Sequence, residues 1–240
     1  MIAEAIDKIL ALAGAQELNF FGKSYTDRKV FEVERPEPEP LMVNTLTAIV
    51  DYVNLGLDKN AEIPKIAIHI VDHEQVEIVT DLEPVYMSRD CLVRATRKNH
   101  AKGFEFGKLY DAERFIIELQ AHFQPTADLT KILKVAGNMK AERVTSSADD
   151  GVTQSVSTRA GVVLSSVQEV PNPVVLEPYR TFLEIDQPQS NFVFRVHQSR
   201  DGELPKCALY EADGGKWKLD AIKSLMEYFK LSLPSVTVIA

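Results

Sequence analysis

The chain contains little cysteine. Its 240 residues include two cysteines, Cys91 and Cys207. Two cysteines far apart do not form the disulfide framework that small secreted domains use. We therefore expect two reduced thiols in a protein made in a reducing cytoplasm. Cys91 stands in a strand-like run without a neighbouring base, so we do not expect it to act as a nucleophile.

Long apolar runs and an excess of basic residues are also absent. No run approaches the roughly 18–20 apolar residues that a membrane span needs. The first residues, Met1 to Glu4, lack a basic region before an apolar segment, so we expect no signal peptide. The formal net charge of −8 argues against a general affinity for nucleic acid. We expect no membrane partner.

The sequence lacks recognisable catalytic and metal-binding motifs. His69 and His73 have the spacing of a helical metal site, but the β-branched residues around them indicate a strand. Side chains four residues apart on a strand lie roughly 13 Å apart, too far for one ion. No Gly-x-Ser-x-Gly elbow accompanies the serines, and no carboxylates form an acid–base pair. We expect a non-enzymatic protein with no metal and no cofactor.

Hydrophobic residues make up 45% of the chain, which is enough for a globular core. Apolar residues recur at helical spacing in five segments, namely 2–13, 44–57, 111–123, 126–139 and 220–230. N-caps are predicted at Asn44, Asp111, Thr126 and Asp220. Strand-like patterns occur at 19–35, twice within 65–82, and at 174–176, 181–185, 191–197, 206–210 and 236–239.

These elements predict an α+β fold with a mixed, mostly antiparallel sheet, four to five amphipathic helices and a long projecting β-hairpin. We predict a single domain over residues 1–240, with an N-terminal helix and proline-rich arm at 1–43 and the extended hairpin at 140–166. The two middle helices are expected to pack on the helical faces at 44–57 and 220–230. The alternating prolines of Arg35–Pro40 favour an extended segment, either a stiff surface connector or a docking ligand for a partner.

The predicted hairpin is rich in serine and threonine. Asp149-Asp150-Gly151 is a turn signal, and the residues after it offer only a thin apolar face. A two-stranded ribbon alone is marginally stable in water, so this one must lie on its own domain or on another subunit. We predict that it takes part in assembly through Thr153, Ser155, Val156, Ser157 and Arg159.

Residues 84–110 form a locally basic stretch in which aromatic residues are interleaved. Its cations are Arg89, Arg94, Arg97, Lys98, Lys102 and Lys108. Basic and aromatic side chains together can bind a nucleic-acid backbone and stack on bases. The other interpretations are a solvated surface, or a patch that pairs with an acidic patch on another subunit.

Five segments in the later part of the chain follow a familiar order, namely Glu113–Leu119, Val156–Gly161, Glu177–Leu183, Phe192–Val196 and Asp220–Lys230. In these segments the chain resembles the YfdQ-like family of phage and prophage proteins of unknown function. The resemblance covers about half of the chain and extends more weakly over Val43 to Leu82. It implies a phage or prophage origin, in the cytoplasm of a bacterial host or associated with a virion or particle. It implies no catalytic residues.

From these features we expect a structural protein that self-associates into a homo-oligomer, such as a ring or a closed shell-like particle. The alternative is an accessory protein of phage replication or infection that binds nucleic acid or a host defence factor. The first hypothesis depends on the appendages that lack a packing partner. The second depends on the basic stretch.

Overall fold

The computed structural model describes residues 14, 17–20, 23–26, 37–58, 65–84, 87–98, 103–141, 143–149, 153–160, 163–197 and 205–240. The chain divides into two compact units, Met1–Glu37 and Pro38–Ala240. In the first unit, β1 (Glu17–Phe20) and β2 (Lys23–Thr26) pair antiparallel. The helix predicted at 2–13 lies outside the described residues, as do residues 21–22 and 27–35 of the strand-like segment predicted at 19–35.

The second unit contains the remaining elements. Its described helices are α1 (Leu46–Leu55), α2 (Ala112–His122), α3 (Ala127–Ala141) and α4 (Lys216–Ser232). Its strands are β3 (Leu41–Val43), β4 (Ile66–Ile70), β5 (Gln75–Thr80), β6 (Cys91–Thr96), β7 (Tyr110–Asp111), β8 (Arg143–Asp149), β9 (Thr153–Ala160), β10 (Val163–Pro171), β11 (Val174–Leu176), β12 (Ser190–His197), β13 (Lys206–Glu211) and β14 (Thr237–Ile239). Within the described residues, no helix has both the length and the apolar character that crossing a bilayer requires.

The strands of this unit form three sheets. A five-stranded sheet has the order β14-β4-β5-β6-β3, with both outer strands parallel to their neighbours. A four-stranded antiparallel sheet has the order β11-β12-β13-β7. The third sheet is antiparallel, in the order β10-β9-β8. The predicted α+β class with mostly antiparallel pairing is confirmed.

Two hydrophobic cores lie under the two larger sheets. In the first core, α2 and α3 cover the four-stranded sheet, and Phe115, Phe192 and Phe194 are fully buried in it. In the second core, α1 and α4 cover the five-stranded sheet around Ile49, Ile78 and Phe229. Each sheet presents one face to its core because buried and less buried residues alternate along strands such as β5 and β12.

The separation into two cores corrects one prediction. The middle helices, α2 and α3, pack against each other and on the four-stranded sheet. They do not pack on the helical faces at 44–57 and 220–230, which belong to the second core. An amphipathic helix needs some apolar partner, and its pattern does not specify which one.

The helix boundaries are partly as predicted. Asp111 accepts a hydrogen bond from the backbone of Arg114 at 2.9 Å, and Thr126 accepts one from Leu129 at 3.1 Å, which confirms both caps. The first cap is Thr45, not Asn44, because Thr45 Oγ1 accepts from Ala48 at 3.3 Å.

The predicted start of the last helix at Asp220 is wrong, since α4 begins at Lys216. Gly214 and Gly215 have φ angles of 63° and 82°. This left-handed conformation suits glycine. The helix therefore begins about one helical turn earlier than predicted, and this additional turn carries the buried side chain of Trp217.

The segment predicted as a hairpin at 140–166 has a third strand. β8 and β9 flank the predicted turn, with Asp149 opposite Gln154, and β10 extends the pairing on the other side of β9. The five predicted assembly residues lie on β9, the middle strand. Because the backbone of a middle strand is paired on both sides, it offers no free edge to another chain. Projection of this segment from the domain stays a prediction.

The strand predicted at 181–185 is also wrong, because these residues lie in an irregular segment between β11 and β12. Phe182 is buried in the second core with 1% of its surface exposed, while the next residue, Leu183, is 73% exposed. Burial and exposure therefore alternate here as they do along a strand, although none of the described strands pairs with residues 181–185.

We predict that Phe182→Ala lowers the free energy of unfolding by about 3–5 kcal/mol, because it leaves a cavity in the second core. Leu183→Ala is the matched control, and its exposed side chain should change stability by about 0.5 kcal/mol or less. Chemical denaturation of both variants measures the difference. Equal effects would show that the segment does not anchor in the core.

Candidate functional site

The segment between β11 and β12, residues 177–189, is a structured loop that we call the Arg180 loop. The buried amide of Gln187 holds it together. Gln187 Oε1 accepts from the backbone N–H groups of Arg180 at 2.9 Å and Thr181 at 3.2 Å. Gln187 Nε2 donates to the carbonyl oxygens of Phe182 at 2.9 Å and Ile185 at 3.3 Å. One side chain thus satisfies four backbone groups that no sheet would otherwise pair.

The first part of the Arg180 loop is attached to the C-terminal end of α2. Gln124 N donates to the carbonyl of Glu177 at 2.8 Å, and Tyr179 N donates to the carbonyl of His122 at 2.9 Å. These bonds use one carbonyl at the end of α2, where such groups lack an intrahelical partner. They fix the loop to the first core.

The next residues attach the same loop to the elements of the second core. Thr181 Oγ1 donates to the carbonyl of His73 at 2.6 Å. Arg97 Nη2 donates to the carbonyl of Tyr179 at 2.8 Å. Glu184 Oε1 accepts from Leu46 N, the first residue of α1, at 2.8 Å. The loop is therefore held from both sides.

Arg180 is the charged group at the centre of these contacts, and its side chain is 10% exposed. Its guanidinium donates to Glu211 Oε1 at 2.6 Å and to Ser190 Oγ. The guanidinium carbon lies 3.9 Å from the ring centroid of Trp217 and 5.4 Å from that of Phe192. Burial lowers the pKa of Arg180 to about 10, although Glu211 and Asp213 act in the opposite direction. The group therefore remains a cation at neutral pH.

Beside this loop lies a cleft of about 900 Å³, which we call the Arg180 cleft. Its aromatic lining includes Phe104, Phe106, Tyr179, Phe182 and Trp217. Its charged and titratable lining consists of His73, Glu74, Arg97, Lys98, His122, Arg180 and Glu184. Clefts of this size, with aromatic walls and a few convergent polar groups, are typical of small-molecule sites.

His73 makes a T-shaped contact with Trp217, with ring centroids 4.7 Å apart and planes at 85°. Burial is the main reason that the pKa of His73 falls below the usual 6.5, and it outweighs the effect of nearby Glu74 and Asp72. The imidazole is therefore neutral near pH 7 and can donate or accept a hydrogen bond inside the cleft.

Three of the six cations in the predicted basic stretch pair with carboxylates of the same chain. Arg94 pairs with Glu77 at 2.7 Å, Arg97 with Glu74 at 3.0 Å and Lys108 with Glu105 at 2.8 Å, and Arg89 donates to the carbonyl of Thr80 at 3.1 Å. Lys102 lies outside the described residues. Of the six predicted cations, the structure places Arg97 and Lys98 together, on the wall of the Arg180 cleft. Nucleic-acid binding by this stretch stays a prediction.

The titratable groups outside the cleft do not form a reactive centre among the described residues. Burial raises the pKa of the Cys91 thiol, and it raises that of Cys207 to about 12, so neither favours a thiolate at neutral pH. His69 lies on β4, and His73 in the turn that follows it. No group of three or more metal-binding side chains clusters within the described ranges.

Sequence reasoning missed the main residues of this site. Arg180 and Gln187 lie on either side of the strand predicted at 181–185, and Trp217 precedes the helix predicted from Asp220. Two signals were available: Trp217 is the single tryptophan of the chain, and Tyr179–Thr181 follows directly on Pro178. Neither signal indicates that residues 37 positions apart form a stacked pair.

The chain was compared with protein-family models, with curated proteins and with solved structures, and none of them matches it. The resemblance to the YfdQ-like family therefore stays a prediction.

We predict that Gln187→Met destabilises the protein by at least about 2 kcal/mol, because it leaves buried backbone groups without partners. Gln189→Met is the matched control. Gln189 is exposed and makes a single hydrogen bond, to Glu177 at 2.8 Å, so its replacement should cost about 0.5 kcal/mol or less. Urea denaturation distinguishes the two variants. A wild-type midpoint for Gln187→Met would contradict the role given to its amide.

The lowered pKa of His73 predicts a pH dependence of stability. The unfolded state binds the His73 proton more readily than the folded state. Its contribution to stability is therefore complete above the unfolded value of 6.5 and decreases as pH falls below that value. We expect the imidazole of His73 to titrate below pH 6.5 in NMR spectra, and His73→Gln to flatten the acid side of the stability curve. A midpoint above 6.5 would contradict this assignment.

Proposed function

We propose that this chain is a non-enzymatic protein of phage or prophage origin that self-associates into a homo-oligomer. We place it in the cytoplasm of its bacterial host or in a virion or particle. The origin is supported by the resemblance described above. Self-association is supported by one surface of the second unit, which combines a groove, an exposed leucine and a pair of opposite charges.

The surface is an apolar groove of about 340 Å³ between the C-terminal end of α1 and the starts of β4 and β6, beside the residues that lead into β14, and we call it the Leu57 groove. Its apolar lining residues are Tyr52, Val53, Leu57, Ile66, Leu92 and Val236. Its polar lining residues are Asp58, Lys65 and Ser235. Well-packed apolar pockets of this kind are where binding energy concentrates in protein interfaces.

The same surface supplies a side chain that could fill the groove of a second copy. Leu57 lines the groove and is 63% exposed. A two-fold contact requires one patch to be complementary to itself. An exposed leucine beside an apolar groove satisfies that requirement, because each copy offers both parts. This is the observation that carries the proposal.

The charges around the groove have the same symmetry. Asp58 and Lys65 both line the groove and are exposed. A two-fold axis through the groove can place Asp58 of each copy opposite Lys65 of the other, an arrangement that selects orientation more than it adds affinity. Tyr52 donates to Asp58 at 2.7 Å, which holds the carboxylate in place. A second copy therefore fits both the apolar and the charged features.

A ring or closed shell needs a further contact, since a single two-fold interface gives only a dimer. We assign this second contact to the sheet β8-β9-β10, which carries the predicted assembly residues. Because the backbone of β9 is paired on both sides, the contact would use a face of this sheet or the outer edges of β8 and β10.

We predict that Leu57→Glu converts the oligomer to a smaller species, because it places a charge in the apolar contact. Size-exclusion chromatography with light scattering at micromolar concentration measures the change in mass. Ile117→Glu is the matched control, since Ile117 is similarly exposed but lies on α2, and it should keep the wild-type mass. A wild-type protein that is a clean monomer would overturn the proposal.

The charged pair gives a sharper version of the same measurement. Lys65→Asp alone should weaken the association, because it opposes Asp58 with a like charge. The double variant Asp58→Lys/Lys65→Asp should restore it, because both pairs are then inverted together. Failure of the double variant to regain the mass, while circular dichroism shows it folded, would place the interface elsewhere.

A further inference from the structure

The Arg180 cleft has the size and walls of a small-molecule site, and self-association through the Leu57 groove does not use it. Its volume of about 900 Å³ is near the upper end of the roughly 300–1,000 Å³ of known ligand sites. It therefore admits a ligand larger than a single ring. The lining groups that have no other partner in the described residues indicate which ligand the cleft binds.

The cleft brings several cationic side chains together in an acidic protein. Its lining has three cations, Arg97, Lys98 and Arg180, against two carboxylates, Glu74 and Glu184, whereas the whole chain carries −8. Lys98 is exposed, and within the described residues nothing pairs with its ammonium. An unpaired ammonium beside a guanidinium is suited to a phosphate group.

The cations already engaged define where the anion must lie. Arg180 uses its guanidinium on Glu211, Ser190 and the face of Trp217. Arg97 is shared between Glu74 and the carbonyl of Tyr179. The anion is therefore expected at Lys98, with Arg97 close by, and not at the buried end of the cleft.

The available aromatic surface lies on the loop side of the cleft. Trp217 has Arg180 over one face and also makes a T-shaped contact with His73. Tyr179 lines the cleft with an exposed ring. Its backbone is fixed from both sides by His122 and Arg97. A ring held in this way can stack on a planar base at low entropic cost.

Glu184 also lines the cleft and offers a hydrogen-bond acceptor. Its Oε1 accepts the hydrogen bond from Leu46 N, so Oε2 is left for a ligand among the described residues. A carboxylate oxygen accepts readily from the hydroxyl groups of a sugar. A cation, an aromatic ring and a carboxylate acceptor thus line one cleft, and together they match the three parts of a nucleotide.

We propose that the Arg180 cleft binds a nucleoside monophosphate, with its phosphate at Lys98 and Arg97, its base on Tyr179 and its ribose at Glu184. The neutral imidazole of His73 supplies a hydrogen-bonding group at the Trp217 end. This binding site goes beyond the proposed self-association and does not depend on it.

The test uses Trp217, which is the single tryptophan and lines the cleft. The full chain is titrated with AMP while the fluorescence of Trp217 is followed, and isothermal calorimetry measures the affinity. Adenosine and ribose 5-phosphate are the two partial probes. We expect each to bind at least about tenfold more weakly than AMP. Adenosine lacks the phosphate and its charge-assisted hydrogen bond, and ribose 5-phosphate lacks the base that stacks on Tyr179.

Two charge-reversal variants separate the cleft from general electrostatics. Lys98→Glu should weaken AMP binding at least about tenfold. Lys134→Glu makes the same charge change at an exposed position of α3 away from the cleft and should leave AMP binding unchanged.

Tyr179→Ala should reduce the difference in affinity between AMP and ribose 5-phosphate, because it removes the stacking surface.

Several outcomes would overturn the proposal. If ribose 5-phosphate bound with the same affinity as AMP, the cleft would be an anion site without base recognition. Equal losses in Lys98→Glu and Lys134→Glu would mean non-specific attraction. No heat and no fluorescence change at about 1 mM AMP would exclude a site of useful affinity. The Leu57→Glu variant should still bind AMP, so loss of oligomers and loss of ligand binding are told apart.

Discussion

The stacking of Arg180 on Trp217 is the interaction on which the rest of this unit depends. Trp217 lies on α4, a helix of the second core, while Ser190 and Glu211 lie on the sheet of the first core. One guanidinium therefore connects the two cores. Burying a cation is costly unless it is paired and hydrogen-bonded. Here an ion pair, a hydroxyl acceptor and a cation–π contact offset that cost.

The same constraint explains the form of the Arg180 loop. A loop that carries a buried cation must hold its own backbone in one conformation, and it has no strand to pair with. The side chain of Gln187 fixes the loop backbone through four hydrogen bonds. The cleft beside the loop follows from this arrangement, because the loop is fixed to the end of α2 on one side and to the β4–β5 turn on the other.

The cleft and the Leu57 groove are different kinds of surface. The cleft is lined by cations, imidazoles and aromatic rings, which suit a small polar ligand. The groove is apolar with a single pair of opposite charges at its border, which suits another protein surface. A chain with both can combine assembly with ligand binding, and each function can be tested without disturbing the other.

Local pattern was sufficient for much of the secondary structure. The hydroxyl or carboxyl side chains at Thr126 and Asp111 mark helix starts, and alternating isoleucines predicted the β4–β5 pair, because these signals act over a few residues. The same reasoning failed at 181–185. There, burial of Phe182 and exposure of Leu183 imitate a strand, while the hydrogen bonds go to a glutamine side chain.

The sequence by itself therefore determined the α+β class, most of the helices and strands, and the scarcity of reactive motifs. Only the tertiary structure decided which helix faces meet, that the sheet is divided over two cores, and that Arg180, Trp217 and His73 share one cleft. The physical reason is that periodicity and capping depend on neighbours along the chain. The partner of an apolar face or of a buried cation is chosen by long-range packing, on which local pattern carries no information.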